Sequence, residues 1–388
     1  MEDDKFKVAL LGPSGVGKTT LLASMFDDTQ DRLRGTSLNV VLDTHTRARI
    51  NEHRKELNEA VGTQVFESGS LGGTQSADWL DFSLRSINNR ELEIPFEILD
   101  YPGGWLDPAA RESGAVSEEG WEQVETHIEH SILALLPIDA ALLMEARNPA
   151  ERAASLHLLG IVDVHDMVRL WARSRNTTEH RDEPAVLMLV PVKCEKYLDP
   201  SRPAGSDADA LRARIQALYD EITETVRKEA RDRTIRILYK PVETYGCIQL
   251  VDSFWKLPTT RGSRHPVFEG IYRFTSNSPQ RRITGAGAVM RQLCLTVLEG
   301  REKVRELEEH GSREQQQEFL SRMAQRRGFW KAFGYRMRGE ARRDKGGVIG
   351  TQRDAERVAR SRRELESDMR GLAEATDPQS QAEDWTSL

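Results

Sequence analysis

The sequence predicts an α/β fold: a mostly parallel central sheet flanked by helices, with a helical C-terminal extension. Three observations carry this. Apolar runs of strand length alternate with helix-period segments over roughly 245 residues, the pattern of parallel strands joined by helical crossovers. One run, Ala185 to Val192 (AVLMLVPV), is apolar throughout, as a strand covered on both faces requires. A glycine-rich turn, Gly12 to Gly17, separates the first strand-like run from the first helix-like one.

Phe6 to Leu11 (FKVALL) is the first expected strand, and Lys18 to Phe26 carries apolar residues at helical spacing. Leu38 to Leu42 is strand-like, Thr44 to Val61 is a polar helix, and Phe66 to Ser76 is a loop rich in Gly, Ser and Thr. Trp79 to Leu84 and Leu92 to Leu99 form an expected antiparallel hairpin across Asn88 and Asn89. Ile138 to Met144 is the next expected strand, followed by one helix over Ala150 to Arg173 that starts after Pro149. Asp207 to Arg233 is a long amphipathic helix, and Thr234 to Val242 closes the strand series. Three regions are therefore expected: a nucleotide-type domain over 1–256, a connector rich in Pro, Gly, Ser and Arg over 257–283, and a helical, partly basic region over 284–388. Within the last, Ala286 to Glu309 and Thr351 to Ala375 are the expected helices.

Gly12, Pro13, Ser14, Gly15, Val16, Gly17, Lys18 and Thr19 match GxxxxGK[ST] between a strand and a helix, the context in which the motif has its mechanism. The glycines let backbone N–H groups turn inward around phosphate oxygens, and the following helix points its positive end at the same anion. Lys18 is expected to neutralise the β- and γ-phosphates. Thr19 is expected to offer its hydroxyl to Mg²⁺, and Thr20 completes the loop's contact set. Asp100 ends an apolar strand and begins Asp100-Tyr101-Pro102-Gly103, so its carboxylate suits the Mg²⁺ water shell and the Gly103 N–H suits the γ-phosphate.

After Val190 to Val192 comes Lys193-Cys194-Glu195. A base-reading motif would run Asn or Thr, Lys, any residue, Asp. Here the Lys is kept and Glu stands for Asp. A carboxylate accepts from guanine N1–H and the exocyclic amine, whereas adenine N1 is itself an acceptor. Thr244-Tyr245-Gly246 is the candidate second base loop. Thr74 in the Gly72-Gly73-Thr74 loop is the candidate switch threonine for Mg²⁺ and γ-phosphate, with Thr63 as its competitor. Gly104 follows the Asp-x-x-Gly run and cannot orient a water. Slow intrinsic turnover is therefore expected, with a catalytic group supplied from elsewhere; Arg111 is one source in cis.

The order of these motifs resembles the TRAFAC class of P-loop GTPases. The run Asp100-Tyr101-Pro102-Gly103-Gly104-Trp105-Leu106 (DYPGxWL) resembles the switch of the bacterial YcjX-like and related double-GTPase group. The resemblance covers roughly residues 5 to 255. It implies a Ras-like fold and a Mg²⁺-dependent GTP/GDP switch. A protein effector or a homodimer is the expected partner, since nucleotide-gated dimerisation would supply the catalytic group that Gly104 lacks. An ATP-using P-loop NTPase and a non-hydrolysing, nucleotide-locked scaffold are the rival readings. Lys18 to Asp100 spans 82 positions and Asp100 to Lys193 spans 93, so each interval is expected to hold an insertion.

The chain has 388 residues, with 62 acids against 55 bases and a net charge of −7, which argues against non-specific nucleic-acid binding by the whole chain. No run of about 18 apolar residues is present, and the start Met-Glu-Asp-Asp lacks a basic leader region. Cys194, Cys247 and Cys294 lie far apart, which fits a reducing cytoplasm and buried thiols. Residues 322–345 hold nine Lys or Arg and two acids, interleaved with Phe329, Trp330, Phe333 and Tyr335. Such a tract suits an anionic membrane surface, a peripheral location included, or an acidic groove on a protein; nucleic acid ranks below both.

Overall fold

The computed structural model describes residues 5–61, 65–67, 76–88, 93–177, 180, 183–199, 201, 206–231, 235–256, 267–275, 282–310, 360, 363, 365–371 and 382–385. The expected α/β architecture with a mostly parallel sheet is present. The strands are β1 (Phe6–Leu10), β2 (Leu38–Leu42), β3 (Val65–Glu67), β4 (Asp78–Ser86), β5 (Glu93–Asp100), β6 (Leu133–Asp139), β7 (Val186–Val192), β8 (Arg236–Tyr239), β9 (Ile248–Lys256), β10 (Val267–Phe274) and β11 (Glu383–Asp384). Eight of them form one sheet in the order β11-β8-β7-β6-β1-β5-β4-β2. Its five central strands are parallel; β4 is antiparallel to both β5 and β2, and β11 to β8. A second, antiparallel sheet runs β3-β10-β9.

Alternation in β1 divides its apolar run between two cores. Phe6, Val8 and Leu10 face α1 (Lys18–Arg32) and α10 (Gly287–His310). Ala9 and Leu11 face α4 (Glu118–His130), α7 (Ile161–Ser174) and α9 (Ala208–Ala230). With helices on both faces, β6 and β7 are buried at every position, which is why their sequences show no polar alternation. The antiparallel hairpin β4–β5 is as expected, with Trp79 opposite Leu99.

Several elements differ from the sequence reading. The strand expected over Ile138 to Met144 lies earlier: β6 ends at Asp139, and Ala140–Met144 is a short helix, α5. The stretch is apolar from Ile132 to Met144 apart from Pro137 and Asp139, so periodicity could not place the change from strand to helix. Pro137 is tolerated because β6 pairs with β1 only as far as Leu135, so the missing donor faces no partner there. The single helix expected over Ala150 to Arg173 is two, α6 (Pro149–Leu158) and α7, broken at Gly160 with φ +57. Asn148 and Glu151 close a capping box at the start of α6.

The loop expected over Phe66 to Ser76 begins inside β3. Thr234 to Val242 does not close the series, because β9, β10 and β11 follow. The segment 257–283, expected as a connector, contains β10. The helix expected at Ala286 to Glu309 is α10, and it is not a separate layer: Val289, Met290, Leu293 and Val297 are in the same buried cluster as β1. Leu365 and Met369 join that cluster, and the described residues 360, 363 and 365–371 are helical. The aromatic basic tract 322–345 lies outside the described residues. Among the described residues no helix is long and apolar enough to cross a membrane, and all three cysteines are buried.

Candidate functional site

Topology brings the separate motifs together. In a parallel sheet every strand of one direction ends at the same edge, and ligands bind outside that edge. The glycine loop follows β1, Asp100 ends β5, Asp139 ends β6, Lys193 follows β7, and the 244–246 loop follows β8.

The glycine loop turns through Gly15 (φ +76) and Gly17 (φ +106), and Gly17 caps the start of α1. Side chains beyond glycine are strained in that region of backbone space. Lys18 is buried, and its Nζ donates to the carbonyls of Gly12 at 2.9 Å and Pro13 at 3.0 Å. The same ammonium lies 5.5 Å above the ring of the fully buried Tyr101. Burial lowers the Lys18 ammonium to about 8, with the Asp100 carboxylate opposing. Thr19 Oγ1 donates to Asp100 Oδ2 at 3.0 Å. The hydroxyl of Thr20 lies 3.0 Å from His53 Nε2 of α2 (Thr44–Val61).

Gly103 begins the 3-10 turn Gly103–Leu106 and presses directly on the glycine loop. A Cβ there would stand 1.8 Å from the Ser14 nitrogen and 2.1 Å from the Pro13 carbonyl carbon, so no other residue fits this approach. Gly104 is exposed and faces open space. The Arg111 guanidinium stacks 4.1 Å from the Trp121 ring centroid and donates to the Trp105 carbonyl at 3.4 Å. In this arrangement Arg111 braces the segment after Asp100.

Lys193 takes φ +59, a left-handed conformation unusual for lysine. It sends Nζ to the Gly15 carbonyl at 3.1 Å and into an ion pair with Asp139. Asp139 in turn caps α5 by accepting from the Leu142 N–H at 2.9 Å. Glu195 Oε1 accepts from the Tyr245 N–H at 2.9 Å and from the Thr244 hydroxyl at 3.3 Å. Burial pushes the Glu195 carboxyl up, and the Tyr245 N–H works against that. The Lys193-Cys194-Glu195 run and the 244–246 loop thus form one unit. A cavity of about 280 Å³ lies beyond the tip of the glycine loop, between Gly15, the Asp139–Lys193 pair, Leu159 and Phe268 of β10.

Gly12, Pro13, Ser14, Gly15, Val16, Gly17, Lys18, Thr19, Asp100, Gly103, Lys193 and Glu195 therefore converge at one edge of the sheet. Thr74 and Thr63 lie outside the described residues. The sequence gives no signal for Tyr101, Asp139 or Ser24: a nearly unbroken apolar run hides the end of β6 and with it Asp139, and a fully buried tyrosine between Asp100 and Gly103 has no spacing rule to announce it. No protein-family model matches the chain, and no curated protein matches it either.

The donor set fits a magnesium ion bound with phosphate. A hydroxyl and a carboxylate 3.0 Å apart, Thr19 and Asp100, stand at the mouth of the loop. A small, strongly hydrated cation needs few protein ligands when phosphate oxygens and waters complete its shell.

Proposed function

We propose that this chain binds a guanine nucleoside triphosphate with Mg²⁺ and hydrolyses it slowly, as a switch of the TRAFAC P-loop type. The observation that carries the reading is the convergence of the lysine-bearing glycine loop, a Thr–Asp pair and the Glu195-bearing 193–195/244–246 unit at one sheet edge. The glycine-loop amides and Lys18 would hold the phosphates, and Thr19 with Asp100 would hold Mg²⁺. The bound ion would neutralise charge on the β- and γ-phosphate oxygens. Gly103, already against Pro13 and Ser14, would meet the γ-phosphate. The Lys193 stem would lie along the base, and Glu195 would accept from guanine N1–H and its exocyclic amine.

Titration calorimetry with GDP, GTPγS, ADP and ATPγS, all with Mg²⁺, tests it. Tight guanine binding without an adenine signal is expected; equal binding or adenine preference would sink the base assignment and favour an ATP-using enzyme. A second reading, a nucleotide-locked scaffold without turnover, is favoured by Gly104, which offers no side chain to a water. Phosphate release at high enzyme concentration separates the two.

A further inference from the structure

The base loop is gripped from behind by the helix that follows the phosphate loop. Ser24 on α1 is fully buried, and its hydroxyl lies 2.8 Å from the carbonyl oxygen of Thr244, across 220 residues of sequence. Its single proton is shared with the Thr20 carbonyl one helical turn back, also at 2.8 Å. Thr244 and Tyr245 are the residues that hold Glu195 Oε1. Beyond them, Gly246 takes φ +65 and presses on the Arg282 carbonyl, while the Arg282 N–H donates to the Tyr245 carbonyl at 3.0 Å. Glu243 and Thr284 exchange both backbone bonds, at 3.0 and 3.1 Å.

The strap 282–285 leads into α10, whose Gly287 N–H donates to Asp28 Oδ2 at 2.6 Å. Asp28 is four residues after Ser24, on the same face of α1. One helix face therefore fixes the base loop at Ser24 and the strap behind it at Asp28.

We infer that Ser24 is a positioning residue for base recognition, fixing Thr244 so that Glu195 presents Oε2 to guanine. The inference rests on the guanine reading of the site. It follows from geometry: with Oε1 occupied by the 244–245 backbone and hydroxyl, the direction of Oε2 depends on where that loop sits. Losing one buried hydrogen bond to the loop is enough to let it shift.

The test compares GDP, IDP and pyrophosphate, each with Mg²⁺, on the wild-type protein, Ser24→Ala, Thr244→Val and the double variant by calorimetry. Inosine lacks the exocyclic amine, so the GDP-to-IDP ratio reports the Glu195 contact, and pyrophosphate reports the phosphate loop alone. Ser24→Ala is expected to weaken GDP roughly tenfold, IDP less, and pyrophosphate not at all. Thr244→Val approaches the same contact from the opposite side and should give the same signature. The double variant should be no weaker than the worse single, because both act through Glu195.

Unchanged GDP affinity in both single variants, or parallel loss of GDP and pyrophosphate, would overturn the inference. A wild-type protein that binds pyrophosphate but does not prefer GDP to ADP would instead remove the base assignment itself.

Discussion

At the scale of single residues, the site is set by what surrounds one ammonium and one glycine. Lys18 sits between two carbonyls and a tyrosine ring, where burial rather than a partner charge dominates its acidity. Phosphate affinity is therefore expected to be flat up to about pH 8 and then to fall up to tenfold per unit as Lys18 loses its proton in the free protein. The phosphates themselves are fully ionised by then, their last pKa being about 6, so calorimetric titration from pH 6.5 to 9.5 isolates the lysine. Lys18→Ala should weaken GDP roughly a hundredfold and abolish the alkaline limb; wild-type affinity in that variant would sink the site. Gly103→Ala places a Cβ 1.8 Å from Ser14 N, so the turn must lift off the glycine loop. Thermal unfolding should drop by a few degrees, the usual effect of overpacking against backbone.

At the scale of elements, the second sheet is joined to the first through Glu145, just after α5. This carboxylate accepts from Lys196, from the Tyr197 hydroxyl at 2.9 Å, from Arg147 at 3.1 Å and from Ser253 of β9 at 3.3 Å. Burial raises its pKa, but Lys196, Tyr197 and Arg147 together hold it below the ordinary glutamate value. A group depressed in the folded state stabilises above its unfolded pKa and loses that contribution as pH falls. The gap in urea midpoint between the wild-type protein and Glu145→Gln should thus be constant above about pH 5 and close as pH falls below the ordinary glutamate value of 4.5; a gap that stays constant from pH 7 down to about pH 3 would refute the role. The break between α6 and α7 has its own cause: Gly160 is left-handed, and a Cβ there would stand 3.3 Å from Pro13 Cβ. Gly160→Ala should cost roughly 1–2 kcal/mol in chemical denaturation, because it strains a turn that also abuts the glycine loop.

At the scale of the whole molecule, α10 is structural to the first core. Val289, Met290, Leu293 and Val297 are wholly buried in the cluster that contains β1 and α1. A chain ending at residue 256 would leave that face of α1 and the sheet bare. It is expected to be insoluble or to lack cooperative unfolding, whereas Leu293→Ala in the full chain should unfold cooperatively at a stability lowered by roughly 2–5 kcal/mol. The far edge of the sheet is closed likewise by distant sequence: β11 pairs with β8, and Trp385 packs 5.6 Å from the Tyr239 ring. A soluble, cooperatively folding 1–256 fragment would show the C-terminal region to be an appendage.

What the sequence determined by itself was whatever is encoded locally. The glycine loop was legible as a turn because a strand, a left-handed glycine turn and a helix follow one another within a few residues. The doubly covered strand at 186–192 was legible because complete burial removes polar alternation. The Lys193–Glu195 run and the Thr244 loop were visible only as separate fragments, and tertiary structure joined them. The end of β6 was illegible because an apolar run has no period to distinguish strand from buried helix. The second sheet was illegible because β3 finds its partner about 200 residues away, in a segment whose composition is that of a connector. Tertiary structure alone decided that Ser24 and Asp28, two unremarkable polar positions on one helix face, grip the 244–246 loop and the C-terminal helix. Long-range hydrogen bonds leave no spacing in the sequence, and only the folded chain brings residue 24 to residue 244.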